Sequence, residues 1–359
     1  MSTPPKPSAT SHSDTVRGAG LYRIAIVGAA TLKGKEVAEV INDRNFPALD
    51  VKLLDDDESL GQLETMGDEV MFIQSVRAEQ FEHVDFTFFA SDQECTRKNW
   101  ATAQHVGSAI VDLSYALEDE HSATVRSPWI ERELGRSVPV ELQPGPAVVA
   151  HPAAVVLALL VMRAQKAGAI RRVVATVFEP ASEHGQRGMD ELHQQTVSLL
   201  SFQQLPKTVF DAQVAFNMIT RYGESSTPAL EVIERRVLNH YQQIAGKDVP
   251  QPALLMVQAP IFHGHAFSIY LEMEQQVALG DLAQALTGEH VSITRSAGDS
   301  PSNVNAAGQG EVLLSVGLDT AHANGYWLWA AADNLRIAAS AAVECAETMA
   351  ASRPRGKIQ

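Results

Sequence analysis

The residues with the clearest chemical capacity form a glycine turn near the start of the chain. Gly28-Ala-Ala-Thr31-Leu-Lys-Gly34 follows a short apolar run and precedes a segment of helical character. At such a turn, backbone N–H groups and a helix N-terminus can hold the phosphates of a dinucleotide. Thr31 stands where a glycine usually lets the backbone approach the pyrophosphate, and its branched side chain is expected to crowd the cofactor. Two interpretations stay open: Gly28 and Gly34 serve only the turn and the packing of helix on sheet, or a dinucleotide binds in an adjusted pose.

Four consecutive acids, Asp55, Asp56, Asp57 and Glu58, follow the second apolar run. In dinucleotide-binding folds an acidic residue at this point accepts hydrogen bonds from ribose hydroxyls, whereas carboxylates repel the 2′-phosphate of NADP. If a nucleotide binds, Asp55 is therefore its expected ribose ligand, and NAD is favoured over NADP. The alternative is a solvated acidic turn.

Composition excludes several function classes. The net charge of -15 argues against a nucleic-acid or anionic-membrane surface, so a small molecule or a protein is the expected partner. The two cysteines, Cys95 and Cys345, give no disulfide framework and fit a cytoplasmic location, and the twelve histidines show no metal-ligand spacing, so no metal site is predicted. Cys95 opens a helix, where a thiol can have a lowered pKa; a small apolar filler is the other interpretation. The longest apolar run, Ala153 to Met162, is too short to cross a bilayer.

The elements that must position these residues fall into two groups. Short apolar runs at 21–27, 51–54, 86–90 and 109–112 alternate with charged helical stretches. This order predicts a parallel sheet with right-handed crossovers, which makes the first half a doubly wound, Rossmann-like α/β domain.

Beyond residue 153 the pattern predicts an α+β domain whose sheet carries a dimer interface. A long apolar helix (153–167) precedes a strand (172–178), an amphipathic helix (189–202) and strands around 254–260, 267–273 and 311–318. Segments 206–227 and 296–309 are predicted loops. An Ala-rich helix from 333 to 350 ends the chain and is expected to return to the first domain. The predicted division is a disordered tail at 1–20, a first domain at 21–152 and 333–359, and a second domain at 153–332.

Three stretches carry a resemblance to a known family: Pro260-Ile-Phe-His-Gly264-His265-Ala266, Ala215-Phe216-Asn217-Met218-Ile219, and Trp329-Ala-Ala-Ala-Asp333-Asn334-Leu335-Arg336 before the Ala-rich helix. Together with the domain order they resemble aspartate-semialdehyde dehydrogenases over nearly the whole chain after residue 20. The resemblance implies an NAD(P)-binding first domain, a homodimer and a place in amino-acid biosynthesis. It also implies that His265 is a retained acid and base and that Asn334 lies near the nicotinamide. For His265, a role in packing or hydrogen bonding is equally open.

The departures from the family concern the reacting positions. The catalytic cysteine of its Asn-Pro-Asn-Cys segment falls on Ala154 in Ala150-His151-Pro152-Ala153-Ala154, and a methyl group cannot form a thioester. The family's substrate-binding arginine falls on Gln258, and its phosphate-binding arginine falls on Glu118, which repels phosphate.

Two further segments remain candidates. The family's glutamine-containing stretch beside the cysteine is replaced by residues 176–185, which include Glu179 and His184. A substrate-binding acid and base are expected within Glu231–Arg236, where the register leaves Glu234, Arg235 and Arg236 as candidates.

Three functions are compatible with these residues. The favoured one is a non-catalytic paralogue that binds a metabolite or a protein and binds dinucleotide weakly or not at all. The second is an NAD-dependent oxidoreductase with non-covalent chemistry, in which His265 works with Glu179 or His184. The third is an NADP-dependent semialdehyde dehydrogenase by descent, which the altered residues oppose.

Overall fold

A computed structural model of the chain describes residues 21–56, 61–66, 69–136, 144–294 and 300–352. The predicted tail at 1–20, the acids Asp57 and Glu58, and part of the predicted loop at 296–309 lie outside the described residues. Across the described ranges, no helix combines the length and hydropathy needed to cross a membrane.

The first sheet has seven strands, all parallel, as the buried apolar runs predict. Its order is β5-β2-β1-β6-β7-β9-β8. Every residue of the central strands β6 and β7 is buried. The strands are β1 (Tyr22–Val27), β2 (Ala48–Asp55), β5 (Gln74–Ser75), β6 (Phe86–Phe89), β7 (Ala109–Asp112), β8 (Thr124–Arg126) and β9 (Ala147–Val149), and a small antiparallel hairpin is formed by β3 (Leu63–Met66) and β4 (Glu69–Phe72).

Four helices belong with this sheet: α1 (Leu32–Asp43), α2 (Gln93–His105), α3 (Pro128–Glu133) and the C-terminal α9 (Asn334–Ser352). The alanine-rich face of α9 packs on α1 and on the central strands in one buried apolar cluster. Ion pairs from Arg336 to Glu36 and from Arg44 to Glu347 close the edge of this contact. The predicted return of the last helix to the first domain is therefore confirmed.

The second sheet is mixed, with the order β11-β10-β12-β15-β14-β13. It consists of β10 (Ile170–Glu179), β11 (Ala253–Gln258), β12 (His265–Met273), β13 (Val291–Ile293), β14 (Val312–Leu318) and β15 (Gly325–Ala332). Its helices are α4 (Pro152–Gln165), α5 (Gly185–Leu200), α6 (Leu230–Ala245), α7 (Leu279–Leu286) and the short α8 (Asn303–Ala306).

One face of the second sheet packs on helices, and the other is partly open. Helix α4 is buried on all sides from Pro152 to Ala164, which explains why its sequence is apolar without a polar stripe. On the other face, Val174, Tyr270 and Trp327 pair across three strands. Val174 is 39% exposed and Trp327 47% exposed, so this face of the sheet presents apolar surface to solvent.

Candidate functional site

The chemically capable side chains meet where the two sheets join. His151 caps the N-terminus of α4, Glu179 ends β10, and Glu183 lies in the following 3₁₀ turn, Ala181–His184. His265 begins β12 and Asn334 begins α9. Because strand ends and helix starts converge here, residues far apart in sequence form one buried polar cluster, which we call the junction cluster.

His265 and Glu179 form the centre of the junction cluster. His265 Nε2 lies 2.9 Å from Glu179 Oε2, and the two residues are 1% and 0% exposed. Burial opposes protonation of His265, but the hydrogen bond and the charge of Glu179 outweigh it and raise the pKa of the imidazole. Burial also raises the pKa of Glu179. The pair can therefore hold and move a proton at His265 Nε2, as expected for a general acid and base.

Glu183 lies beside this pair. Its Oε1 accepts a hydrogen bond of 2.8 Å from Asn334 Nδ2, and its Oε2 lies 3.9 Å from His151 Nε2. Burial disfavours the carboxylate, yet attraction to His151, Lys33 and His265 lowers the pKa of Glu183 to about 2. Burial lowers the pKa of His151 well below its usual range, although attraction to Glu183 opposes this shift.

Glu118 faces an internal cation. Its carboxylate accepts two hydrogen bonds from Arg236, at 2.7 and 2.8 Å, and lies 3.4 Å from His240 Nε2. Burial alone would raise the pKa of Glu118, but Arg236 and His240 lower it to about 2. The ring of Tyr115 lies between Arg236 and Lys33, at 4.7 and 4.6 Å from the ring centroid.

The three candidates of the Glu231–Arg236 segment, Glu234, Arg235 and Arg236, have different surroundings. Arg236 pairs with Glu118, while Arg235 is exposed. Glu234 accepts a hydrogen bond of 3.0 Å from the backbone N–H of Met256 and so ties α6 to β11.

Gln258 is fully buried and bonded within the protein. Its Nε2 donates to the carbonyl oxygens of Glu179 and Ala259, and its Oε1 accepts from the Tyr222 hydroxyl at 2.6 Å. That hydroxyl lies 3.0 Å from His184 Nε2. Burial lowers the pKa of His184 to about 4. Of the two partners predicted for His265, the structure therefore supplies Glu179, whereas His184 belongs to the hydrogen bonds around Gln258.

Ala154 is completely buried in the first turn of α4. His151, three residues earlier, was not among the sequence candidates, and neither was Glu183. The sequence did contain a signal for His151, which directly precedes Pro152. Because proline favours the first position of a helix, the residue before it is expected to be the N-cap. No comparable local signal marks Glu183, whose position depends on the turn after β10.

The glycine turn is occupied by contacts of its own. Thr31 Oγ1 caps α1 by accepting from Gly34 N at 3.0 Å, and Asp55 Oδ2 accepts from Ala30 N at 2.6 Å. A Cβ on Gly34 would lie 2.0 Å from the carbonyl oxygen of Gly28, so close packing is sufficient to require a glycine at this position. The N–H groups of Ala30 and Gly34 at this turn are thus already bonded within the protein. Burial raises the pKa of Asp55.

Neither cysteine is an activated thiol. Burial raises the pKa of Cys95, and Asp92 and Asp55 add to the effect. Burial raises the pKa of Cys345 to about 12. The lowered pKa considered for Cys95 was wrong, because the neighbouring carboxylates and partial burial outweigh the helix N-terminus.

Comparison with known families covers both halves of the chain. Residues 23–138 match the model of the semialdehyde dehydrogenase NAD binding domain, and residues 161–337 match that of the semialdehyde dehydrogenase dimerisation domain. The chain belongs to the aspartate-semialdehyde dehydrogenase family. The predicted family and fold class are therefore confirmed.

Relatives within the family carry two kinds of name. A USG-1 protein homolog from Pseudomonas aeruginosa is 29% identical over 320 residues, which cover 88% of this chain and 94% of the relative. An aspartate-semialdehyde dehydrogenase from Rickettsia conorii is 26% identical, with 89% of this chain and 94% of the relative covered. Among solved structures, a probable aspartate-semialdehyde dehydrogenase from Pseudomonas aeruginosa superposes with a TM-score of 0.81 at 27% identity, covering 91% of this chain and 98% of that one.

Proposed function

We propose that this family member does not perform the phosphorylating dehydrogenase reaction and instead binds a metabolite or a protein partner. The observation that carries the proposal is Ala154, which occupies the position of the family's nucleophile and is completely buried in α4. A methyl group has no lone pair with which to attack a carbonyl carbon. The dehydrogenase reaction through a thioester therefore has no starting point.

The positions that would bind a substrate support the same proposal. Gln258 carries no charge for a substrate carboxylate, and its amide is bonded to Tyr222 and to backbone carbonyls. Glu118 takes the Nε and Nη2 edge of the Arg236 guanidinium, so this cation is already paired with a carboxylate before any anion can reach it.

A second candidate function rests on the bond between His265 and Glu179. An imidazole whose pKa is raised by a buried carboxylate can deliver a proton to a carbonyl oxygen during hydride transfer, with no covalent step. This would make the chain an NAD-dependent oxidoreductase. We place it second because His265 is 1% exposed and the glycine turn is already bonded.

For cofactors we propose that NAD or NADP binds weakly or not at all, with NAD favoured. Thr31 and Asp55 hold two of the N–H groups of the turn, and a phosphate would have to displace a carboxylate from Ala30 N. Since Asp57 and Glu58 lie outside the described residues, repulsion of the 2′-phosphate rests here on Asp55 and Asp56.

For assembly and organisation we propose a cytoplasmic homodimer with domains at 21–152 plus 333–359 and at 153–332. The match to a dimerisation domain supports self-association. The open apolar face with Val174 and Trp327 provides surface for it. The two sheets fall on either side of residue 152, which supports the boundary.

The activity assay is direct. Purified protein with aspartate semialdehyde, phosphate and NADP should show a rate reduced by a factor on the order of 10⁴ or more, because loss of a nucleophile has that effect in enzymes. The Ala154→Cys variant should remain inactive, since Gln258 and Glu118 are unchanged. The dehydrogenase from Rickettsia conorii serves as the positive control. Turnover within about a hundredfold of an ordinary rate of ~10 per second would refute the proposal.

A further inference from the structure

We propose that His151, Glu179 and Glu183 bind a divalent first-row transition metal ion at the junction of the two sheets. One ligand atom from each side chain lies within 4.8 Å of the other two. The three residues come from the start of α4, the end of β10 and the turn that follows it, so no local spacing in the sequence reveals the site. The inference does not depend on the proposed function, since an ion can bind here whether or not the protein catalyses a reaction.

Each of the two proposed carboxylate ligands is held in place by a hydrogen bond through its other oxygen. Glu183 Oε1 accepts from Asn334 Nδ2 at 2.8 Å, and Glu179 Oε2 lies 2.9 Å from His265 Nε2. In metal sites, bonds of this kind orient the ligands and are nearly as important as the ligands themselves. His265 and Asn334 are therefore positioning residues of the proposed site.

An unpartnered atom points to an ion as the missing partner. Glu179 Oε1 is buried and makes no hydrogen bond among the described residues. A buried carboxylate oxygen without a hydrogen-bond donor is strongly unfavourable. The neighbouring carboxylate of Glu183, which is 5% exposed, adds repulsion between like charges. A divalent cation between Glu179 and Glu183 satisfies this oxygen and neutralises both charges.

The donor set selects the class of ion. One imidazole nitrogen and two carboxylate oxygens suit Zn²⁺, Mn²⁺ and Fe²⁺, whereas Ca²⁺ prefers oxygen ligands only. Around such an ion, neighbouring ligand atoms are about 3.0 to 3.4 Å apart, so the side chains must draw together slightly. His151 Nε2 and Glu183 Oε2 are now 3.9 Å apart.

Binding changes the hydrogen bonding of His151. In the structure, His151 Nδ1 accepts a hydrogen bond of 3.2 Å from Ala153 N. If Nε2 binds the ion, the neutral ring carries its proton on Nδ1, so Nδ1 can no longer accept this bond. This bond is a weak helix cap, and a metal–nitrogen bond is far stronger. The first turn of α4 is expected to adjust when the ion binds.

The test is a calorimetric titration of the chelator-treated full chain with Zn²⁺. We expect a single equivalent to bind with a dissociation constant of roughly micromolar or tighter. The Glu183→Gln and His151→Gln variants should each weaken this binding by roughly a hundredfold or more, because a ligand loss exceeds the loss of a supporting bond. Asp319→Asn is the matched control. It removes a partly buried carboxylate 2.6 Å from the exposed His322, the kind of surface pair that captures zinc adventitiously, and it should leave the tight binding unchanged.

Thermal unfolding separates a lost site from a lost fold. Zn²⁺ should raise the unfolding midpoint of the wild-type chain and leave that of Glu183→Gln unmoved. If Glu183→Gln does not fold, Glu179→Gln provides the same comparison. The proposal is overturned if the wild-type chain binds no zinc at this affinity, if folded ligand variants bind as tightly as the wild type, or if Asp319→Asn abolishes the binding.

Discussion

The residues that depart from the family's pattern form hydrogen bonds with other side chains of this protein. Glu118 is paired with Arg236, Glu179 with His265, and Gln258 with Tyr222. Each pairing needs both members, since an arginine at position 118 would face the cation of Arg236 and leave two like charges beside Tyr115. The substitutions are mutually consistent, which supports the proposal that the site does not perform the family's reaction.

The pair of Glu118 and Arg236 makes stability depend on pH. The pKa of Glu118 is about 2 in the folded protein against 4.5 as its ordinary value, so its contribution is complete above about pH 4.5 and is lost as the pH falls towards 2. Glu118→Gln leaves the largely buried Arg236 unpaired and should reduce the free energy of unfolding at pH 7 by about 1 to 3 kcal/mol. Urea unfolding over a series of pH values measures both effects.

The control for this prediction is Glu231→Gln. Glu231 pairs with Arg221 at 2.8 Å, but both side chains are well exposed, so its loss should change stability little. Equal stability of Glu118→Gln and wild type at pH 7, or a difference that is as large at pH 2 as at pH 7, would contradict the role given to the pair.

How much of the site the sequence reveals depends on how local the signal is. His265, Asn334 and Ala154 were found because each lies within a short motif. His151 and Glu183 were missed because their importance arises only when α4 and the turn after β10 meet, and Lys33 joins them from α1 across the junction. Electrostatic neighbours of this kind are set by tertiary packing, which no spacing rule encodes.

At the scale of elements, the cofactor proposal rests on the N-terminus of α1. Thr31→Gly removes the side chain that caps the helix and frees Gly34 N for a phosphate. We expect wild-type protein to bind NAD weakly and NADP more weakly, and the variant to bind NAD more tightly while losing only a few tenths of a kcal/mol in helix stability. Titration calorimetry with both nucleotides measures this.

Ser302→Gly is the matched control for this variant. Ser302 Oγ caps α8 by accepting from Asn305 N at 3.1 Å, so the variant loses a cap far from the glycine turn. It should leave nucleotide binding as it was. Micromolar binding of NADP by the wild-type chain would count against the cofactor proposal.

The long elements were predictable and the short ones were not. Apolar runs correctly placed β1, β6 and β7, and helix α4 lies within one or two residues of its predicted bounds. The three-residue strands β8 and β9 show no periodicity that could mark them. Helix α6 was not predicted as an element, although its buried residues Leu230, Ile233, Val237 and Ile244 have helical spacing.

At the scale of the whole molecule, the open face of the second sheet predicts assembly. Light scattering should give a homodimer of roughly twice 38.8 kDa. Trp327→Glu places a charge at one end of the apolar row formed with Val174 and Tyr270 and should shift the protein towards monomer. Val304→Glu, on an exposed residue of α8 outside that row, is the control and should remain dimeric. A concentration-independent wild-type monomer would contradict the prediction.

Because α9 returns to the first sheet, the first domain can complete its core only after the last helix has been translated. A chain emerging from the ribosome completes all seven strands of the first sheet by Val149, yet the helix that covers α1 and the central strands begins only at Asn334. Until then the apolar face is open, and the nascent first domain depends on a segment not yet translated. Asn334, the first residue of α9, donates a hydrogen bond to Glu183, so the junction cluster is complete only after the strands of both sheets have been synthesised. A chain halted before α9 therefore exposes an unfinished core and lacks a finished site.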